Sequence, residues 1–162
     1  MPAVHVAQVN IARLRAPLDS PQLADFVTAL EPVNALADGS PGFVWRLQDE
    51  TGDATSIRGF DSDEIIVNLS VWASLDALWR FVYDSAHLTV MRRRREWFER
   101  IAGIHLTLWW VPAGHVPTVA EAELRVAHLA RHGPSVEAFD FKTAFLPDGR
   151  PTTVARGERV AC

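Results

Sequence analysis

The eight residues Ile65–Trp72 (Ile-Ile-Val-Asn-Leu-Ser-Val-Trp) limit the fold more than any other segment. Their length and β-branched content predict a strand. Alternate strand residues point to opposite faces, so Ile65, Val67, Leu69 and Val71 line one face and Ile66, Asn68, Ser70 and Trp72 the other. Neither face is a plain water-facing surface. A sheet built on this strand needs a cover on both sides.

The other elements follow from the same patterns. Residues 4–11 (Val-His-Val-Ala-Gln-Val-Asn-Ile) predict a first strand. Ser20-Pro21 marks a helix start, with Leu23, Phe26, Val27, Leu30, Val33 and Asn34 on one face and Pro32 as a kink. After the turn cluster at residues 38–42, Phe43 to Leu47 forms a second strand, and the polar loop of residues 49–63 joins it to the third as a hairpin. Ser74 caps a second helix running to about Ala102, with an interruption near Asp84 and Ser85 left open, and Gly103 permits its stop. His105 to Val111 is the fourth strand. Thr118 with Glu121 forms a capping box for a helix ending at Gly133-Pro134, and a short strand follows within Phe139 to Phe145.

The order β-α-β-β-α-β predicts an α+β, ferredoxin-like fold, a four-stranded antiparallel sheet with two helices on one face and a helix and strand appended. Such a sheet leaves its second face bare. A second copy of the chain is the simplest cover, so a homodimer is expected. The 162 residues suffice for one domain, placed at residues 1–146, followed by a loosely held tail at 147–162.

Charge and cysteine usage exclude several classes. With a net charge of −4 the chain has no overall positive field to attract nucleic acid or an anionic membrane. The single cysteine, Cys162, excludes an intrachain disulfide framework and fits a cytoplasmic location. No apolar run approaches the roughly 18 residues of a membrane span, and residues 1–5 lack the pattern of a signal peptide. There is no GxSxG elbow, no Walker loop, no GxGxxG and no CxxCH motif.

Candidate site residues stand out where polar groups interrupt apolar stripes. At about 100° per residue, Val90, Met91, Trp97, Phe98 and Ile101 share a helix face, and His87 and Arg94 fall inside it. Tyr83 joins that face if the helix continues back through Asp84. An inward imidazole can act as acid, base or metal ligand, and an inward guanidinium can hold an anionic group. The structural alternative is an ion pair, with Arg94 reaching Glu31 or Asp76. Asn34 and Asn68 also point at covered surfaces, and Trp45, Trp72 and Trp110 are candidates to line an apolar cavity for a planar ligand. Arg92 to Arg95 fan over about 300° of a helix, so they predict a solvated face with one inward member rather than a basic patch. His128 and His132 have metal-ligand spacing but lie with Glu121 and Arg125 on the polar face of their helix, which reads as a solvent face.

Several segments together resemble a family of functionally uncharacterised bacterial and fungal proteins in the dimeric α+β barrel superfamily. They are Gln8-Val9-Asn10-Ile11, Val33-Asn34-Ala35-Leu36-Ala37, Gly42-Phe43-Val44-Trp45-Arg46-Leu47, Asn68-Leu69-Ser70-Val71-Trp72, Phe81-Val82-Tyr83 with His87, Arg94-Arg95-Glu96-Trp97-Phe98 and Leu108-Trp109-Trp110-Val111-Pro112. The likeness covers about residues 4–145 and implies the barrel fold and the dimer. The wider superfamily, which resembles antibiotic-biosynthesis monooxygenases, includes cofactor-free quinone-forming monooxygenases and haem-dependent enzymes with pockets between helices and sheet. Its haem-degrading members use an Asn on the first strand and a His as iron ligand, positions similar to Asn10 and His87. Phe81 stands where they carry a Trp, and Trp79 lies two residues earlier.

The resulting expectation is a monooxygenase-like enzyme for an apolar aromatic or polyene molecule, with either haem on His87 or cofactor-free chemistry. His87, Arg94 and Tyr83 would act on the substrate, and Asn10, Asn34 and Asn68 would donate hydrogen bonds to an oxyanion or bound oxygen. A haem carrier and a non-catalytic ligand-binding dimer are the alternatives.

Overall fold

The computed structural model describes residues 3–154 except 51, 56, 58, 61, 84–86 and 102. Strand β1 (Val4–Leu14) is central, because Val6, Ala7 and Val9 are inaccessible on both its faces. It pairs antiparallel with β3 (Ile65–Trp72) on one side, from Val6 opposite Trp72 to Arg13 opposite Ile65. On the other side it pairs with a strand at Leu106–Pro112, from Val4 opposite Pro112 to Asn10 opposite Leu106. Strand β2 (Phe43–Arg46) lies outside β3, and β4 (Phe98–Glu99) pairs with the far end of β1. With Leu106–Pro112 as β5, the order β2-β3-β1-β5 is the expected ferredoxin-like sheet.

One sheet face carries α1 (Ala24–Asp38) and α2 (Leu75–Tyr83). Val6, Trp72 and Leu108 form a core there with Ala37, Leu75 and Leu78. Helix α1 continues through Pro32 to Asp38. Ser74 Oγ accepts from the Ala77 amide at 3.1 Å and caps α2 as expected.

The long helix expected over residues 74–102 is instead three short ones. After α2 come α3 (His87–Met91) and α4 (Arg94–Trp97), and Phe98 leaves as strand β4. The expected interruption at Asp84 and Ser85, and the expected end at Ala102, lie outside the described residues. Tertiary contacts explain the break at residues 92–93. The Arg93 guanidinium donates to Glu96 at 2.6 Å and to Asp25 on α1 at 2.8 Å, and it lies 5.0 Å from the Trp97 ring centre. Arg15 Nε donates to the carbonyls of Arg95 (2.7 Å) and Phe98 (3.0 Å), which ends α4 with a side chain from the residue after β1. Helical periodicity therefore does not carry past Met91, and Arg92, Arg93, Arg94 and Arg95 are all exposed. Arg94 is not an inward residue, and the run has no inward member.

The second face is covered by the chain itself. Helix α5 (Val119–His132) is capped by Thr118 Oγ, which accepts from the Glu121 amide at 3.1 Å, and it stops at Gly133 with φ +73°. Ala122 is buried in one core with Ala7, Val9, Val67, Leu69, Val71, Trp109 and Val111. The observation that called for a second copy, a bare apolar face, is thus met within one chain. His128 and Arg125 are taken up in this packing. His128 Nε2 lies 2.7 Å from Glu137 Oε2, and Arg125 donates to the Glu137 carbonyl at 2.8 Å, fastening residues 135–138 to the helix.

Beyond α5, Phe139 exchanges two backbone hydrogen bonds with Leu108 (2.7 and 2.9 Å) on the outer edge of β5. Strands β6 (Ala144–Phe145) and β7 (Pro151–Thr152) then form a hairpin, and Val154 is only 8% exposed in the helix-side core. The division expected after residue 146 cuts this hairpin, so residues 147–154 are bound rather than loose. Residues 155–162, with Cys162, lie outside the described residues. Among the described residues no helix is long and apolar enough to cross a membrane.

Candidate functional site

Strand alternation and the β1/β3 register place Gln8 opposite Ser70 and Asn10 opposite Asn68, on the face that α1 and α2 cover. These side chains form a ladder. The Gln8 amide nitrogen donates to Asn68 Oδ1 at 2.8 Å and to Ser70 Oγ at 2.8 Å, and Ser70 Oγ also accepts from the Trp72 indole at 2.9 Å. Gln8 and Ser70 are each 7% exposed and Trp72 1%, so the supporting part of the ladder is withdrawn from solvent. Asn68 is exposed and Asn10 half-buried, between half-buried Ile66 and Leu106. The result is two adjacent amides open to solvent in an apolar frame, one of them held from behind.

Rings connect this ladder to His87. Trp72 stacks on Phe81 (centres 5.0 Å apart, 24° between planes), and Phe81 meets the His87 ring at 4.8 Å. His87 opens α3, half-buried, with Nδ1 3.3 Å from the Val82 carbonyl oxygen. Burial lowers its pKa below the ordinary 6.5, and the Val82 contact partly offsets that. A carbonyl neighbour requires Nδ1 to carry the proton, so in the neutral ring Nε2 holds the lone pair.

The structure separates the other expected residues from the amide pair. Tyr83 packs on Trp79 (4.0 Å) and near Phe141 (6.0 Å), away from the Phe81 stack. Arg94 is on the exposed surface, where its charge helps to lower the pKa of His105 after the larger effect of burial. Trp45 lies opposite Val71 and packs in the α5-side core. Trp110 faces the helix side, but its indole donates to the Phe145 carbonyl at 2.9 Å and anchors the C-terminal hairpin. Asn34 is half-buried on α1. Gln8, Ser70 and Phe81 are the residues that sequence reasoning left out of the site. The alternation that selected Asn68 already put Ser70 on its face, and the same alternation in residues 4–11 puts Gln8 with Val6 and Asn10.

Two open grooves adjoin the helices. One of about 540 Å³ runs between Ala29, Val33 and Leu36 of α1 and Val90 of α3, with the Asp25–Arg93 pair at its edge. The other, about 620 Å³, lies by Gly42, Ser74, Ala77 and Phe81. Neither is lined by Asn10 or Asn68. Among the described residues no group of three or more His, Cys, Asp or Glu could hold a metal ion.

Sheet order and the two helices on one face define an α+β protein of ferredoxin-like type. Within that class, residues 5–155 match the family described as a domain of unknown function, DUF3291, and the chain belongs to it. No curated protein sequence matches the chain. Among solved structures it is similar to SnoaB, a cofactor-independent oxygenase from Streptomyces nogalater, at 21% identity over 70% of this chain and 97% of that one, TM-score 0.46. It is also similar to NE2512, a protein of unknown function from Nitrosomonas europaea (13% identity, 73% and 99% covered, TM-score 0.43). PA3566 from Pseudomonas aeruginosa is a further likeness (11% identity, 69% and 96% covered, TM-score 0.45).

Proposed function

We propose that this protein is a small-molecule enzyme of monooxygenase-like type, acting on an apolar aromatic or polyene substrate bound against the helix-facing side of the sheet. The observation that carries this reading is the Asn10–Asn68 pair, half-buried and exposed respectively beside half-buried Ile66 and Leu106, with Asn68 braced by buried Gln8. Amide N–H donors fixed on a rigid strand stabilise negative charge that develops on an oxygen as a substrate loses a proton. Ile66 and Leu106 suit the apolar body of such a molecule.

The chemistry balances without an added reductant. A ring CH2 conjugated to a carbonyl loses a proton, and the charge moves to the carbonyl oxygen facing the two amides. The electron-rich carbon then reduces O2. One oxygen atom ends as a new C=O on the substrate and the other leaves as water with the two hydrogens of the CH2. Arg94 and Tyr83 have no part in this reading. Oxygen uptake with a panel of planar ring ketones and phenols tests it, comparing the protein with its Asn10→Ala and Asn68→Ala variants. Turnover that depends on both amides supports the assignment, and turnover untouched by both substitutions overturns it.

A second reading is favoured by one contact, the His87 Nδ1 approach to the Val82 carbonyl. A backbone acceptor on Nδ1 is the arrangement that orients Nε2 toward a metal. Haem bound there would supply oxygen or peroxide activation, with His87 as iron ligand. Absorption spectra during haem titration test it. A sharp Soret band lost in His87→Ala supports ligation, and a band indifferent to that change, or none, rejects it.

A further inference from the structure

A primary amide at a surface offers either its carbonyl or its N–H groups to a ligand, because a half-turn exchanges them at little cost. In this structure Asn68 is held in one of the two orientations by a buried neighbour. Its Oδ1 accepts one Gln8 amide proton at 2.8 Å, and the second Gln8 proton goes to Ser70 Oγ at 2.8 Å. Both Gln8 protons are therefore committed. Ser70 Oγ is in turn filled by Gln8 and by the Trp72 indole, a group that can only donate. Turning Gln8 alone would set two carbonyl oxygens against each other at hydrogen-bond distance, inside a region where Gln8 and Ser70 are each 7% exposed. Turning Asn68 alone would face its N–H groups to those of Gln8.

We infer that Gln8 is a positioning residue that sets the hydrogen-bond polarity of the site: it holds the Asn68 carbonyl inward, so that Asn68 offers only N–H donors to a bound molecule. The site therefore selects planar molecules that present an oxygen acceptor and disfavours those that present an N–H or O–H. This rests on the reading of the Asn10–Asn68 patch as a ligand site, and it adds a specificity rule to that reading. Asn10 lies across the strand pair from Asn68 with its own amide half-buried, so the polarity belongs to the Asn68 end of the patch.

Three tricyclic probes of similar shape separate the alternatives: 9-fluorenone has a carbonyl acceptor, carbazole an N–H donor, and fluorene neither. Calorimetric titration of the full chain is expected to give an affinity for fluorenone about tenfold above that for carbazole. Gln8→Glu, whose carboxylate can only accept, turns the Asn68 amide around and is expected to reverse the order while leaving fluorene within about twofold. Gln8→Met fits without hydrogen bonds, frees Asn68 to rotate, and brings the ratio to about one. Asn68→Asp is the surface-tolerant version, offering acceptors only, and also favours carbazole. A fluorenone preference that survives all three substitutions overturns the inference, as does equal binding or a carbazole preference in the unmodified protein. In those cases fluorene binding still supports an apolar site. If none of the three probes binds, the ligand-site reading and the inference fall together.

Discussion

Asn68 and His87 are both polar residues beside an apolar layer, and the difference in what lies behind each decides its use. Asn68 is braced by Gln8 and open in front, so it can stabilise charge on a ligand without first reorganising. Replacing it with Ala should lower kcat about 100-fold in the oxygen-uptake assay, the scale of losing one fixed oxyanion donor. His87 is half-buried against Phe81, and burial lowers its pKa. Above its ordinary 6.5 the ring is neutral whether the chain is folded or unfolded. As the pH falls below that value the unfolded chain takes up the proton first, so stability declines with acid until the folded value is passed. Melting temperatures at pH 7.5 and 5.5 should therefore fall further in the unmodified protein than in His87→Gln. Period-two alternation made Asn68 legible in the sequence. It left Gln8 unremarked, because a neutral side chain among apolar ones signals nothing until its partners are known.

Among elements, the stretch after α2 shows why local periodicity fails. Val90, Met91, Trp97 and Phe98 fit one helical stripe, yet Arg93 is drawn to Asp25 and Arg15 closes α4, and both partners are distant in sequence. Trp97 still reaches the interior, at 2% exposure, by way of a turn rather than a continuous helix. The joint between β2 and α2 is tighter than the sequence signals. Gly42 has φ +83°, and a Cβ there would stand 2.5 Å from the Ala77 Cβ. Gly42→Ala should cost about 2 kcal/mol in urea unfolding, combining left-handed strain with overpacking. The β6–β7 hairpin hangs in part on the Trp110 indole. Trp110→Phe keeps an aromatic side chain but deletes that bond with the ring that carries it, so cleavage at residues 147–150 by a protease should speed up, with global stability reduced by about 1 kcal/mol or more.

At the scale of the whole molecule, strand order was readable because each strand carries its own alternation and each turn its Gly or Pro. The cover of the second face was not. The apolar stripe of α5 states that the helix packs somewhere but not on which surface, and its assignment comes from long-range contacts such as the Phe60 amide donating to Glu123 at 2.7 Å. Ala122 is wholly buried between helix and sheet. An Ala122→Arg substitution should lift α5 and bare Val67, Leu69 and Trp109, and light scattering should then show larger assemblies than the unmodified chain forms under the same conditions. Strand β1 joins the two cores, with Val9 and Ile11 on the α5 side and Gln8 and Asn10 on the helix side. A substitution scan along it should split into two interleaved series: positions 7, 9 and 11 would register in the unfolding midpoint, and positions 8 and 10 in which molecules the protein prefers. Selectivity would then be retuned at positions 8 and 10 of one strand while positions 7, 9 and 11 keep the fold.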